Sequence, residues 1–360
     1  MASYIIRRLA LMIPTLFGIL LINFLVIQAA PGGPVERSLA QLQGIGGQTT
    51  LGGSAGDLSA ANASAGPGYR GSQGLSAELV AEIEKQYGFD KSASERFGDM
   101  IWQFAQFDLG SSFYRDIPVL DLVLEKLPVS LSLGLWSTLL IYLIAVPLGI
   151  RKARHPGSRF DVWSSGAIIV AYAIPGFLLA LLLIIVFAGG SYWQWFPMQG
   201  LSSEGAANLP WFQRALDYAH HLVLPTLCLT LGGLATLTLF TRNSFLEELQ
   251  KPYVLTARAK GASEQRVLWG HVFRNAMLII IAGLPATLFG ILFTGAFLIE
   301  VIFNLDGLGL LSYESVINRD YPVIFGTLFL FTLMGMLLRL FGDLCYRWVD
   351  PRIDFSRAGS

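Results

Sequence analysis

The run LALMIPTLFGILLINFLVIQAA, residues 9–30, holds 22 residues without one Asp, Glu, Lys, Arg or His. About 20 consecutive apolar residues in a helix cover the hydrocarbon core of a bilayer, so this stretch predicts a transmembrane helix. Four further runs are equally free of charge: Val129–Ile150, Ser164–Ala188, Leu222–Thr241 and Ala276–Ile299. A sixth, Val323–Cys345, carries only Arg339 and Asp343, four residues apart and therefore on one helix face, with Arg347 a further possible partner for the acid. Pro14, Pro147, Pro175, Pro225 and Pro285 interrupt several runs, and membrane helices tolerate them where neighbours re-satisfy the freed backbone groups.

The whole composition agrees. The 360 residues are 53% hydrophobic and 14% charged, with a mean hydropathy of +0.55, whereas an ordinary soluble chain is about a quarter charged. An ordinary soluble enzyme and a disordered protein are thereby ruled out. The net charge of zero leaves no basic footprint for nucleic acid. Cys228 and Cys345 lie far apart in apolar runs, which is neither a disulfide framework nor a metal site.

Lys and Arg set the orientation. Segments 1–8, 151–163, 242–275 and 346–360 hold 15 of them in 70 positions, against 9 in 154 for 31–128, 189–221 and 300–322. The first set is expected in the cytoplasm together with both termini. At 22 residues the first run is longer than a secretory signal core, and no small-x-small cleavage site follows it, so a retained helix is expected.

The chain divides on this reading into a first helix (1–30), an external segment (31–128), a core of five spans (129–345) and a cytoplasmic tail (346–360). Within the external segment, residues 44–74 contain ten glycines and one aromatic, Tyr69, and predict a mobile insert. From residue 75 to 128 a small helical region is expected. Ser76 can cap a helix through Gln86 with Leu79, Val80 and Ile83 on one face, and a second helix over Ser94–Gln106 would align Phe97, Ile101, Phe104 and Ala105. These faces suit either a packing cap or a docking platform. Trp193, Trp195, Phe196, Trp211, Phe212 and Tyr218 in segment 189–221 suit the membrane interface or an aromatic wall against substrate. His220 and His221 find no partner ligands on their side, since His155 and His271 lie on the other, so no metal site is expected.

No Gly-Lys dipeptide occurs, so no phosphate-binding loop of the G-x-x-x-x-G-K-[ST] kind exists. His-Glu-x-x-His and paired-Cys motifs are also missing. With five spans lacking ionisable groups, the residues of proton- or ion-coupled carriers are missing as well. Three classes stand at this point: a transport subunit driven by another polypeptide, a self-sufficient carrier or channel, and a membrane enzyme. The last is disfavoured because no catalytic constellation falls on one face.

Energy from another polypeptide would need a receiver, and segment 242–275 is the longest on the cytoplasmic side. It predicts a helix broken at Pro252, a short helix over Tyr253–Lys260, a terminating Gly261, and a further helix capped by Ser263. Ala257, Ala259 and Gly261 are small enough for close approach by another protein, with Arg258 and Lys260 at the rim. An inert positively charged loop is the other reading.

The stretch Tyr253-Val254-Leu255-Thr256-Ala257-Arg258-Ala259-Lys260-Gly261-Ala262-Ser263 resembles the coupling-loop signature of ABC-importer permeases of the dipeptide/oligopeptide/nickel branch, and His271-Val272-Phe273-Arg274-Asn275-Ala276 continues it. Tyr4-Ile5-Ile6-Arg7-Arg8, Ala30-Pro31-Gly32-Gly33-Pro34, Phe107-Asp108-Leu109-Gly110-Ser111-Ser112, Phe303-Asn304-Leu305-Asp306-Gly307-Leu308-Gly309, Arg319-Asp320-Tyr321-Pro322 and Val349-Asp350-Pro351-Arg352-Ile353 agree in order along the chain. The Gly-rich insert and Gly157-Ser158-Arg159-Phe160-Asp161-Val162-Trp163-Ser164-Ser165 resemble the Yej-type subgroup of peptide and microcin C importers. Two departures are visible. Gly33 stands where many relatives carry an acid, and relatives outside that subgroup lack most of 44–74.

The resemblance implies an all-α type I permease fold with six transmembrane helices, both termini inside and a helical insertion after the first. It implies an inner-membrane location, a second homologous permease, cytoplasmic ABC ATPases that bind ATP and Mg²⁺, a periplasmic solute-binding protein and a peptide substrate. This chain would itself carry no cofactor and no catalytic residue. Tyr253, Thr256, Ala257, Arg258, Ala259, Lys260, Gly261 and Ser263 would couple to the ATPase. Asn23, Gln28, Tyr172 and Thr294 are polar groups in apolar runs that suit a substrate pathway, or equally interhelical hydrogen bonds. Glu300, Arg319 and Asp320 suit the external mouth or docking of the binding protein, or an ordinary solvated loop.

Overall fold

The computed structural model describes residues 2–29, 85, 90–290 and 297–349. The glycine-rich stretch 44–74, the helix expected from Ser76, Thr294 and the tail from residue 350 lie outside them. The described residues form helices in the order α1 (Ala2–Ala29), α2 (Ala93–Ala105), α3 (Val119–Arg154), α4 (Arg159–Ala173), α5 (Gly176–Phe187), α6 (Trp211–Leu249), α7 (Pro252–Ala259), α8 (Glu264–Arg266), α9 (Phe273–Gly290), α10 (Phe297–Phe303), α11 (Leu308–Asn318) and α12 (Tyr321–Val349). A π-helical segment, Val267–Val272, joins α8 to α9.

Among the described residues, five helices are long and apolar enough to cross a membrane: Tyr4–Ala29, Val119–Arg154, Trp211–Leu249, Glu264–Pro285 and Tyr321–Leu344. A sixth crossing arises only if α4 and α5 count together. The single rod expected over Ser164–Ala188 is therefore corrected to two helices meeting at 93°. Pro175 has no N–H to donate and disfavours helical backbone at Ile174, which is extended at φ −81° and ψ 118°. The 36 residues of α3 and 39 of α6 run well beyond their apolar windows, so each projects a charged end past the hydrocarbon.

The helices group into two units. The first comprises residues 1–10, 124–313 and 331–360. One of its cores gathers Leu133, Leu179, Leu222, Leu224, Cys228 and Phe303 around the beginning of α6. Another gathers Ile150, Phe245, Val254, Val267, Leu268, Val272 and Ile280 around its end. In this unit Asp343 takes a hydrogen bond from the Tyr4 hydroxyl at 2.7 Å and lies 3.5 Å from Arg8. Its partners are on α1, whereas Arg339, the neighbour proposed by spacing, is exposed.

The motif at residues 303–309 has a mechanical explanation. The Glu300 carboxylate, fully buried, caps the start of α11: Oε2 accepts from the Leu310 N–H at 3.0 Å, and Oε1 from the Ser130 hydroxyl at 2.7 Å. Ser130 Oγ in turn accepts from Leu308 N–H at 2.8 Å. Free N–H groups at a helix start are thus met by a carboxylate, as the helix dipole favours. Gly307 leaves the room, since a Cβ there would sit 2.5 Å from Glu300 Oε2 and 2.7 Å from Ser130 Oγ. We expect Gly307→Ala to cost about 1–3 kcal/mol through overpacking, read as a lowered unfolding temperature of the detergent-solubilised chain.

The second unit comprises residues 11–123 and 314–330. Here α2 begins one residue earlier than expected, with Ser92 accepting from Glu95 N–H and Glu95 reaching back to Ser92 N–H in a capping box. Phe97 packs on Phe17 and Phe24 of α1 at ring-centroid distances of 5.6 and 5.2 Å, and Phe104 on Phe329 of α12 at 5.3 Å. The apolar face of α2 is a packing cap, with Trp102 left exposed. Two motifs far apart in sequence meet here: Asp320 accepts from the Ser112 hydroxyl at 2.5 Å and the Phe113 N–H at 3.1 Å.

Candidate functional site

The segment after α6 folds as a short helix held at both ends. Gln250 closes α6, Lys251 is extended at φ −69° and ψ 147°, and Pro252 opens α7 at its first position, where a missing N–H costs nothing. At the other end Ala262 N–H bonds Ala257 O at 3.1 Å and Gly261 N–H bonds Arg258 O at 2.9 Å, the paired bonds of a Schellman turn. That turn requires the left-handed φ of +81° at Gly261. Ser263 then caps α8 through Arg266 N–H, and Arg258 forms two bonds to Glu264, at 2.9 and 3.0 Å.

One face of α7 is seated and the other is free. Val254 is fully buried, with Tyr253, Ala257 and Ala262 partly buried against the same core. Leu255, Thr256, Arg258, Ala259, Lys260, Gly261 and Ser263 are exposed. The Thr256 hydroxyl bonds Pro252 O within the helix at 3.1 Å. A Cβ on Gly261 would meet nothing within 4 Å, so any close approach there involves another molecule.

Sequence reasoning missed the group that anchors this helix. Glu248, on the last turn of α6, accepts from the Tyr253 hydroxyl at 2.7 Å and from Asn275 Nδ2 of α9 at 3.1 Å, and pairs with Lys251 at 2.6 Å. Burial, followed by this carboxylate, pushes the Tyr253 phenol up to about 12. The available signal was an acid followed by Lys251 three positions on and Tyr253 two further.

A second missed cluster sits six residues earlier on α6. Arg242 makes two bonds to the Asp161 carboxylate, at 3.0 and 2.8 Å. Lys152, fully buried, lies 3.2 Å from Asp161 Oδ1 and bonds Asp161 O, Ser164 Oγ and Ser165 Oγ. It joins the ends of α3, α4 and α6. In the sequence Lys152 and Arg242 counted only as loop charges, and Asp161, Ser164 and Ser165 only as part of the subgroup motif.

The other expected site residues do not gather in one place. Asn23 bonds Ile19 O inside α1 at 2.9 Å, Gln28 accepts from Arg96 at 2.9 Å, and Tyr172 is exposed on α4. Thr294 is outside the described residues. Glu300 and Asp320 are buried and committed to the bonds given above, so their carboxylates offer no docking surface. Arg319 is partly exposed, at a left-handed φ of 58°. Trp193 and Trp195 stack at 4.8 Å, and His220 bonds Trp195 O at 2.8 Å. No group of metal-binding side chains occurs among the described residues.

Comparison with known proteins places this architecture. Residues 145–355 match the binding-protein-dependent transport system inner membrane component family. The chain belongs to that family. It is 56% identical to the peptidoglycan transport system permease protein YejB of Agrobacterium fabrum, over 99% of each chain. It is 33% identical to the oligopeptide transport system permease protein AppB of Bacillus subtilis, over 99% of this chain and 100% of that one. Among solved structures, a chain of the MetNI methionine ABC transporter in an inward-facing form matches with a TM-score of 0.50 and 18% identity, covering 64% of this chain and 97% of that one. That likeness is one of fold, and it agrees with the type I permease architecture. As a family member the chain is a multi-pass permease of the inner membrane, and the α7 corner lies within the matched region.

Proposed function

We propose that this chain forms, with a second homologous permease, the membrane pathway of an ATP-driven peptide importer. Two cytoplasmic ATPases bind ATP and Mg²⁺ and supply the energy, and a periplasmic binding protein delivers the peptide. The proposed topology has six crossings, with α4 and α5 counted as one and both termini in the cytoplasm. The observation that carries the reading is α7: a capped helix of eight residues with one face seated on a spanning bundle and the other unoccupied. A lever of this kind transmits displacement, which an unstructured loop absorbs.

In this reading Tyr253, Thr256, Ala257, Arg258, Ala259, Lys260, Gly261 and Ser263 form the ATPase contact. Asn23, Gln28, Tyr172 and Thr294 are proposed for the pathway and Arg319 for the external mouth. The relatives named for peptidoglycan and oligopeptide transport support a peptide substrate, and peptide conjugates of the microcin C kind belong to the same proposal. Two measurements test it. A single cysteine at Ala259→Cys should cross-link to the ATPase in membranes. Uptake of a labelled peptide set into vesicles should require both ATP and the binding protein. Concentration of peptide by the chain reconstituted alone would overturn the reading.

A further inference from the structure

Glu248 lies where a push on α7 would enter the spanning helices. Its side chain is 9% exposed, and its two oxygens hold three helices and the turn between two of them: α6 by its own backbone, α7 through Tyr253, α9 through Asn275, and the turn through Lys251. Asn275 Nδ2 also reaches the Tyr253 oxygen at 3.3 Å, closing a triangle. Without it, α7 is joined to α6 by residues 250–251 and to α8 by the Gly261 turn and the exposed Arg258–Glu264 pair, so that the polar ties to α6 and α9 are lost and the joint at 250–251 can pivot. The apolar seat under Val254 opposes separation, but apolar contact is non-directional and does not set an angle. Hydrogen bonds are directional, and those to an ionised acceptor are roughly twice as strong as neutral ones.

We propose that Glu248 is a positioning residue: its carboxylate locks α7 at a set angle on α6 and α9, so that movement of α7 turns the spanning helices instead of being spent at that joint. The inference rests on the reading of α7 as the ATPase contact. It goes beyond that reading by assigning the transmission step to a residue that need not touch the ATPase.

The test uses the complete importer in liposomes with its binding protein, following uptake of a fluorescent tripeptide that the wild-type importer transports, together with ATP hydrolysis. With Glu248→Ala, hydrolysis stays within about twofold of wild type while peptide moved per ATP falls at least about tenfold, the scale of losing hydrogen bonds to a charged group. Glu248→Gln, whose amide oxygen still accepts from Tyr253 and Asn275, returns the ratio to within about threefold. A merely structural role would lower the number of working complexes, and hydrolysis and uptake would fall together. That outcome, or an unchanged ratio in Glu248→Ala, overturns the proposal. If Glu248→Ala does not assemble, Asn275→Ala decides, since Asn275 lies outside the ATPase contact and loss of its bond to the carboxylate should lower the ratio by about threefold, and an unchanged ratio overturns the proposal. The Ala259→Cys cross-link separates the two levels. Its absence removes the reading of α7, whereas its presence beside a normally coupled Glu248→Ala removes this inference alone.

Discussion

Gly261→Asp is expected to reduce peptide uptake by the complete importer at least about tenfold while leaving the amount of chain in the membrane within about twofold, because a single left-handed residue costs only about 1–2 kcal/mol. The fold around it explains the separation. Gly261 has φ +81° and open space around its Cα, so a side chain meets no clash within the chain. Asp adds backbone strain and places a carboxylate at the C-terminal end of α7, where the helix dipole disfavours negative charge. It also stands on the free face, beside Arg258 and Lys260. Gly261→Asn separates the causes, since Asn tolerates the left-handed region and carries no charge. It should retain most of the uptake. Equal loss in both variants would assign the effect to the turn alone, and normal uptake by an assembled Gly261→Asp importer would remove α7 as the contact.

Asp161→Ala should give the largest loss of stability. Lys152 is fully enclosed and Arg242 is 25% exposed, so deleting the carboxylate leaves one buried ammonium without a counter-charge. Breaking a buried pair in this way costs about 3–5 kcal/mol. The backbone N–H of Gly157 loses its acceptor at the same time. We expect the unfolding temperature of the detergent-solubilised chain to fall by at least about 5 °C, with less chain in the membrane. Lys152→Met combined with Asp161→Ala should recover most of the loss, because the enclosed charge is removed with its partner, whereas Arg242 can extend its head group to water. A double variant no better than Asp161→Ala alone would show that the carboxylate acts through Gly157 and Arg242 instead.

The spans were legible because hydropathy is a local sum: twenty apolar residues state their preference for lipid without reference to neighbours. Local chemistry also announced α7, since Pro252, Gly261 and Ser263 act on their own backbone or that of residues three or four away. Local chemistry failed where two preferences competed. Pro175 stands inside an apolar run whose hydropathy says one helix, yet its ring ends α4 and starts a second helix at 93°. Asp343 offered Arg339 at helical spacing but pairs with Tyr4, 339 positions earlier.

By itself, then, the amino-acid order determined an all-helical membrane chain, the approximate places of its crossings, the punctuation of the exposed helix α7, and the motifs that its family shares. Only the tertiary structure decided which carboxylates are tools of packing. Glu300 finds Ser130 across 170 positions, Asp320 finds Ser112 across 208, and Asp161 finds Arg242 across 81. A charge in a connecting segment reads the same whether water or an arginine will meet it. Its role is settled when the helices close and desolvation makes an unpartnered carboxylate too costly to keep.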